Sequence, residues 1–192
     1  MKAKIILFSI ILLSSLGFIN VKAQSHIKSV YGVNLGDTES VVASKISGTW
    51  KTNSKGGRYY KTKNPTLGNC TFEEATFLFK NGKLFKVNFF SSDGGAMDPN
   101  FQTQYGGPNG YEQFLAKSER YQRMYRTMYS DLSGKYGNPV IDDGDRSIWK
   151  SNGNCIELKY LFEDNVSQYG FHEGFTEVIV SYYEGESTSS NF

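Results

Sequence analysis

The chain has 192 residues, with 21 Lys and Arg against 19 Asp and Glu, two His and two Cys. Charges this balanced exclude a strongly basic nucleic-acid or anionic-membrane binder, and two cysteines do not make a disulfide framework. The 13 Tyr, 14 Phe and 20 Gly point to a strand-rich chain with many turns.

At the N-terminus, Lys2 and Lys4 precede the apolar run Ile5 to Phe18, and Val21-Lys22-Ala23 ends on a small residue. This is the layout of a secretory signal over residues 1–23, with an apolar stretch too short and wrongly flanked for a mature membrane span. The expected product is exported, to the periplasm or outside the cell. Cleavage removes Lys2, Lys4 and Lys22 and no acid, so the positive net charge belongs largely to the signal. Residues 24–29 read as a flexible start and 30–185 as one domain. Residues 186–192 form a Ser-Thr tail of the kind that stays mobile.

The first element is "LGDTESVVASKISG". Asp37 or Thr38 can cap a helix whose apolar side is Leu35, Val41, Val42 and Ile46, ended by Gly48. A hairpin about Lys55-Gly56-Gly57 follows. Asn81-Gly82 lies between apolar runs and predicts a type I′ turn, since both turn positions need positive φ. A two-residue loop there sets Leu78 opposite Phe85 and Thr76 opposite Val87. It puts Phe85, Val87 and Phe89 on one face, and Phe77, Phe79 and Leu84 on the other. Residues 91–110 form a long connection. Then Tyr111, Phe114, Tyr121, Tyr125, Met128, Leu132 and Tyr136 mark one stripe of a long helix. Gly137 and Pro139 stop it. Lys117, Arg120, Arg123 and Arg126 fall off the stripe and read as a solvated face. Two strands about Asn152-Gly153 follow, then a last strand with Val178, Val180 and Tyr182 on one face.

Gly-Asn-Cys occurs twice, at Gly68 to Cys70 and Gly153 to Cys155, each time ahead of a Leu-Phe pair. Trp50-Lys51 and Trp149-Lys150 precede them. The fold expected is α+β: an antiparallel sheet from two related helix-plus-strands units, about 30–90 and 110–185 joined by the loop 91–110, with one long and one short helix packed on it. The matching strand parity of Cys70 and Cys155 suggests a disulfide between them, which export permits.

The pattern "LGDTESVV" leading to strands, then "KYGNP" ahead of Trp149, Cys155 and the closing Tyr182-Tyr183, resembles the β-lactamase-inhibitor-protein-like and small outer-membrane assembly lipoprotein group over about residues 30–185. The resemblance implies α/β repeats. Two features depart from it: the second helix is longer, and the lipoprotein cysteine is absent. No functional residue carries over.

Catalytic patterns are thin. His172 could pair with Cys155 or Cys70 as base and nucleophile, but a structural disulfide or buried free thiols are the simpler readings in an exported protein. Asp142, Asp143 and Asp145 could hold Ca²⁺, or form a solvated turn. Glu73, Glu74, Glu157 and Glu163 read as exposed sheet charge rather than as a glycosidase pair. No catalytic residue, metal ligand or cofactor is assigned. Aromatics in the polar loop, Phe101, Tyr105 and Tyr111, are the candidate binding residues, since rigid rings give contact area at low entropic cost. The leading expectation is a non-enzymatic protein that binds a protein or envelope component through this loop or the sheet face, with no nucleic-acid partner and no stable membrane span after cleavage. The alternatives are an envelope glycan or peptide hydrolase, and a small-molecule carrier.

Overall fold

A computed structural model describes residues 26–27, 29–94, 110–166 and 172–185. The N-terminal apolar run, its cleavage point and the tail 186–192 lie outside the described residues, as do Phe101 and Tyr105. The architecture is α+β. The short strands β1 (Ser29–Val30) and β2 (Val33–Asn34) form a hairpin, followed by helix α1 (Glu39–Lys45). Next come β3 (Thr49–Thr52), β4 (Arg58–Lys63), the small hairpin β5 (Thr66–Leu67) and β6 (Cys70–Thr71), then β7 (Glu74–Lys80) and β8 (Lys83–Gly94). Helix α2 (Gly110–Tyr136) is followed by β9 (Ile141–Asp142), β10 (Arg146–Ser151), β11 (Asn154–Val166) and β12 (His172–Glu184). Eight strands make one antiparallel sheet in the order β3-β4-β7-β8-β12-β11-β10-β9.

One face of that sheet is the core. Ala75, Phe77, Val87, Phe89, Ile156, Leu158, Val178 and Val180 alternate inward along their strands and are fully buried. The α2 stripe covers them as its three- and four-residue spacing predicts: Phe114, Tyr121, Tyr125, Met128, Leu132 and Tyr136 are all buried. The helix ends on Gly137, at φ +82°, whose carbonyl accepts from Trp149 Nε1 at 2.8 Å. Tyr111 lies in the first turn of the helix backbone. The β1–β2 turn adds Tyr31 edge-on to Phe89, with ring centroids 5.7 Å apart, and the β5–β6 hairpin leads into Phe72, also against Phe89. The expected flexible start has a fixed point, because Ile27 is 2% exposed and its carbonyl accepts from Asn154 Nδ2.

Three local expectations need correction. Neither Asp37 nor Thr38 caps α1 through its side chain: Thr38 sits at the N-cap without such a bond, while Asp37 accepts from Asn34 N. The Asn81-Gly82 turn has both residues at positive φ as predicted, but the ladder beyond it is irregular. Phe79 opposes Leu84, Leu78 opposes Lys86, and Phe85 is the extra residue of a bulge. Thr76 therefore faces Asn88, and Phe77 joins Val87 on the core side, since one inserted residue flips every side chain beyond it. Finally, Cys70 and Cys155 are both buried and are not joined by the expected disulfide. Cys70 left the main sheet with the β5–β6 hairpin and points its thiol at the Met124 carbonyl of α2. Cys155 shares strand parity with Glu157, on the sheet face away from α2. Strand parity could not reveal this, because the two cysteines do not sit on equivalent strands.

Candidate functional site

The second face of the sheet carries no helix and no further layer among the described residues. Its middle is built by alternate residues of β8, β12 and β11. Lys86, Asn88 and Phe90 come from β8; Glu177, Ile179 and Ser181 from β12; Glu157 and Lys159 from β11. Antiparallel register puts Phe90 across from Ile179, Asn88 across from Ser181, and Ile179 across from Lys159. The result is a shallow depression of about 290 Å3. That is at the small end for a ligand pocket, where volumes start near about 300 Å3, and suits one or two side chains of a partner.

Its electrostatics are uneven. Glu157 is engaged twice, by Arg146 Nε at 2.6 Å and by Lys159 Nζ at 3.1 Å. Burial pushes its carboxyl up, but the Arg146 and Lys159 hydrogen bonds outweigh this and hold it below the ordinary range. Lys86 has no ion-pair partner among the described residues; its ammonium lies 5.7 Å from the centroid of the Tyr183 ring. Burial holds it below the ordinary lysine range, against the pull of Glu157. Glu177 has no polar partner at all among the described residues, and burial alone raises its carboxyl. One acid and one base, each half-buried and unpaired, thus flank the apolar pair Phe90 and Ile179. Desolvation of such groups without a compensating partner is costly.

Among the described residues, the acids and thiols singled out from the sequence lie apart or are engaged by other groups. Glu157 and Glu177 are separated by four residues of strand, about 13 Å, wider than the carboxylate spacings of glycosidases. Glu73 accepts from Tyr121 Oη at 2.8 Å, Glu74 pairs with Lys61, and Glu163 is exposed. His172 opens β12 opposite Val166 while Cys155 pairs with Tyr183, so about 36 Å of strand lies between them and these two do not form a dyad. Cys70 is held in the thiol form by burial and by Asp131. The Asp142 carboxylate is occupied by Tyr129 Oη and Ser147 Oγ, both at 2.9 Å, and Asp143 faces Arg146. Among the described residues no group of three or more His, Cys, Asp or Glu could hold a metal. The layer between α2 and the sheet is filled by Tyr121, Tyr125, Met128 and Leu132, where a small-molecule carrier would need space. The basic side of α2 is tied along the surface, Lys117 to Asp93 and Arg123 to Glu119.

The loop candidates are only bordered by the described structure. Gly94 pairs with Phe175, and the first turns of α2 bring Phe114 to stack on Phe162 at 5.6 Å. The end of β8 and the start of α2 thus both lie at the sheet end where Leu161 and Phe162 are exposed, at 39% and 44%. Phe101 and Tyr105 are outside the described residues, and Tyr111 is described as helix backbone only. Sequence reasoning missed Lys86, Phe90, Glu177 and Ile179. Alternating Lys, Phe, Glu and Ile on neighbouring strands was the signal, but the registry that brings β8 beside β12 links residues about ninety apart. No helix among the described residues is long and apolar enough to cross a membrane. Comparison of the chain with protein-family models, with curated proteins and with solved structures finds no match.

Proposed function

We propose that this is an exported, non-enzymatic binding protein that engages a protein or another component of the cell envelope through the uncovered face of its sheet. The observation that carries the reading is the pair of half-buried, unpaired charges, Lys86 and Glu177, on either side of Phe90 and Ile179. An apolar centre with charged groups around it is the usual anatomy of a recognition patch. The N-terminal run of basic, apolar and small residues supports export. The sequence offers Phe101, Tyr105 and Tyr111 as further candidate contact residues.

The same reading takes the sheet as two related helix-plus-strands units. In its support, β3-β4-β7-β8 is mirrored by β9-β10-β11-β12, with the last strand of each series paired at the centre. The Trp-Lys pairs do not follow that mirror, since Trp50 lies on β3 and Trp149 on β10. The correspondence therefore rests on topology and on the Leu-Phe pairs of β7 and β11.

The test is capture from an envelope extract with the wild-type chain and with Ile179→Asp, at matched folded concentration. The wild type is expected to retain a stoichiometric, salt-resistant partner, and the variant to lose it at least tenfold. Equal capture by both would remove the sheet face from consideration.

A further inference from the structure

At the outer edge of the sheet, away from the central face, four lysines surround a second and larger depression. It measures about 1050 Å3 and lies where α1 passes into β3. Lys45 comes from the last turn of α1, Lys51 from β3, and Lys61 and Lys63 from β4; Tyr31 and Thr49 add hydroxyls, and no acidic side chain lines it. Its wall is fixed by hydrogen bonds and close packing. Tyr60 Oη donates to the Ile46 carbonyl at 2.9 Å, and Thr62 Oγ1 to the Ser47 carbonyl at 2.7 Å. Gly48 lies so close to the Lys61 carbonyl that a side chain there would overlap it. The lysine stems therefore rise from a braced connector and a paired strand, not from a free loop.

The charges on this wall are under-compensated. Lys45 reaches Asp37 at 3.4 Å, and Lys61 pairs with Glu74. Lys51 and Lys63 are exposed and have no ion-pair partner among the described residues. Burial, then the neighbouring Lys63 and Lys51, hold Lys61 below the ordinary lysine range. Cations crowded enough to oppose one another's protonation are relieved by an anion that touches several of them, and more so by a multivalent one. In a chain whose acids and bases nearly balance, this edge is a local excess of positive charge.

We propose that this depression is a binding site for a ligand bearing two or more oxyanion groups, a short acidic glycan or a phosphorylated molecule, with Lys51 and Lys63 as the groups free to meet it. Its volume suits a few sugar or phosphate units rather than a lone ion. The site shares no lining residue with the central face, so either proposal can fail alone.

Three probes separate the sources: tripolyphosphate, a sulfated heparin tetrasaccharide and a tetragalacturonate, each titrated into isotope-labelled protein at physiological salt. At least one is expected to give saturating amide shifts confined to Thr49, Lys51 and Lys61 to Lys63. Its affinity should fall at least tenfold in K51A/K63A and be largely kept in K51R/K63R. The probe that saturates identifies the anion class. Silence with all three probes, shifts spread evenly over Lys80, Lys83 and Lys135, or full affinity in K51A/K63A would each overturn the proposal.

Discussion

Asn69 and Asn154 stand at the same place in the two Gly-Asn-Cys stretches and do the same job with different partners. Asn69 lies on the β5–β6 hairpin and bonds Asp131 of α2 through both its backbone N–H and its side-chain amide, at 3.1 Å each. Asn154 opens β11 and holds the Ile27 carbonyl at 2.6 Å. Each amide follows a glycine with positive φ, Gly68 and Gly153, and each fastens a segment remote in sequence. Paired polar groups of this kind are satisfied; Glu177 is the contrast. Burial raises its carboxyl in the folded chain, so the folded state holds that proton more tightly than the unfolded state. The sign follows: no penalty exists below the ordinary carboxylate range, and stability is lost as pH rises from there through the raised value. Glu177→Gln should therefore unfold at a higher urea concentration than the wild type at pH 7, with the two midpoints converging at pH 4. A midpoint difference that does not change with pH would show that ionisation of Glu177 is not the cause. On the proposed function, the same variant should also bind a partner at the sheet face less well, because it removes the charge that the partner would neutralise.

Turns and the long helix were legible because their signals are local. At Asn81-Gly82 both residues adopt positive φ, and a methyl group added to Gly82 would meet nothing within 4 Å. Gly82→Ala should therefore cost about 1 kcal/mol by conformation alone, read as a lowered urea midpoint with unchanged slope. An unaltered midpoint would mean that the turn relaxes to another type. The α2 stripe was equally plain, since every described member from Phe114 to Tyr136 is buried. The bulge was not legible. Its extra residue, Phe85, sits within a run, "KLFKVNFF", whose alternation holds on either side of it. Only pairing with β7 decides which residue is left over, and that decision moves Phe77 to the core. The site fails to show for a similar reason. Lys86, Glu177 and Lys159 each look like ordinary exposed charge on a strand, and become a patch only when β8, β12 and β11 are laid side by side. At the edge, Lys51, Lys61 and Lys63 alternate visibly along "TWKT" and "RYYKTK", but Lys45 joins them through the Ile46 to Gly48 connector. Cys70 misled because the sequence between it and Glu74 continues strand-like, while Phe72 turns inward and breaks the ladder.

At the scale of the molecule, the central pairing of β8 with β12 decides whether either half can exist alone. Severed there, one half would present β8 as an open edge with Val87 and Phe89 bare, and the other β12 with Val178 and Val180. Unpaired edges beside bare apolar faces lead to aggregation. The halves are also not symmetric in what covers them. Helix α2 belongs to the second half by sequence, yet Tyr121 donates to Glu73, Asp131 holds Asn69, and the Met124 carbonyl receives the Cys70 thiol, all in the first. Helix α1, of seven residues, is too short to return that cover. A first half lacking α2 therefore has its sheet face exposed as well as its edge, and should not unfold cooperatively when expressed as residues 24–94. The second half, residues 110–192, keeps α2 over β11 and β12 and loses only the β8 edge, so it should retain helix by circular dichroism but melt broadly. Mixed after refolding, the two fragments should recover one cooperative transition, because the β8–β12 ladder and the α2 bonds to Glu73, Asn69 and Cys70 can re-form between chains. A first fragment that unfolds cooperatively by itself would mean that its own short helix and hairpins suffice, and the sheet would then be two domains side by side rather than one shared core.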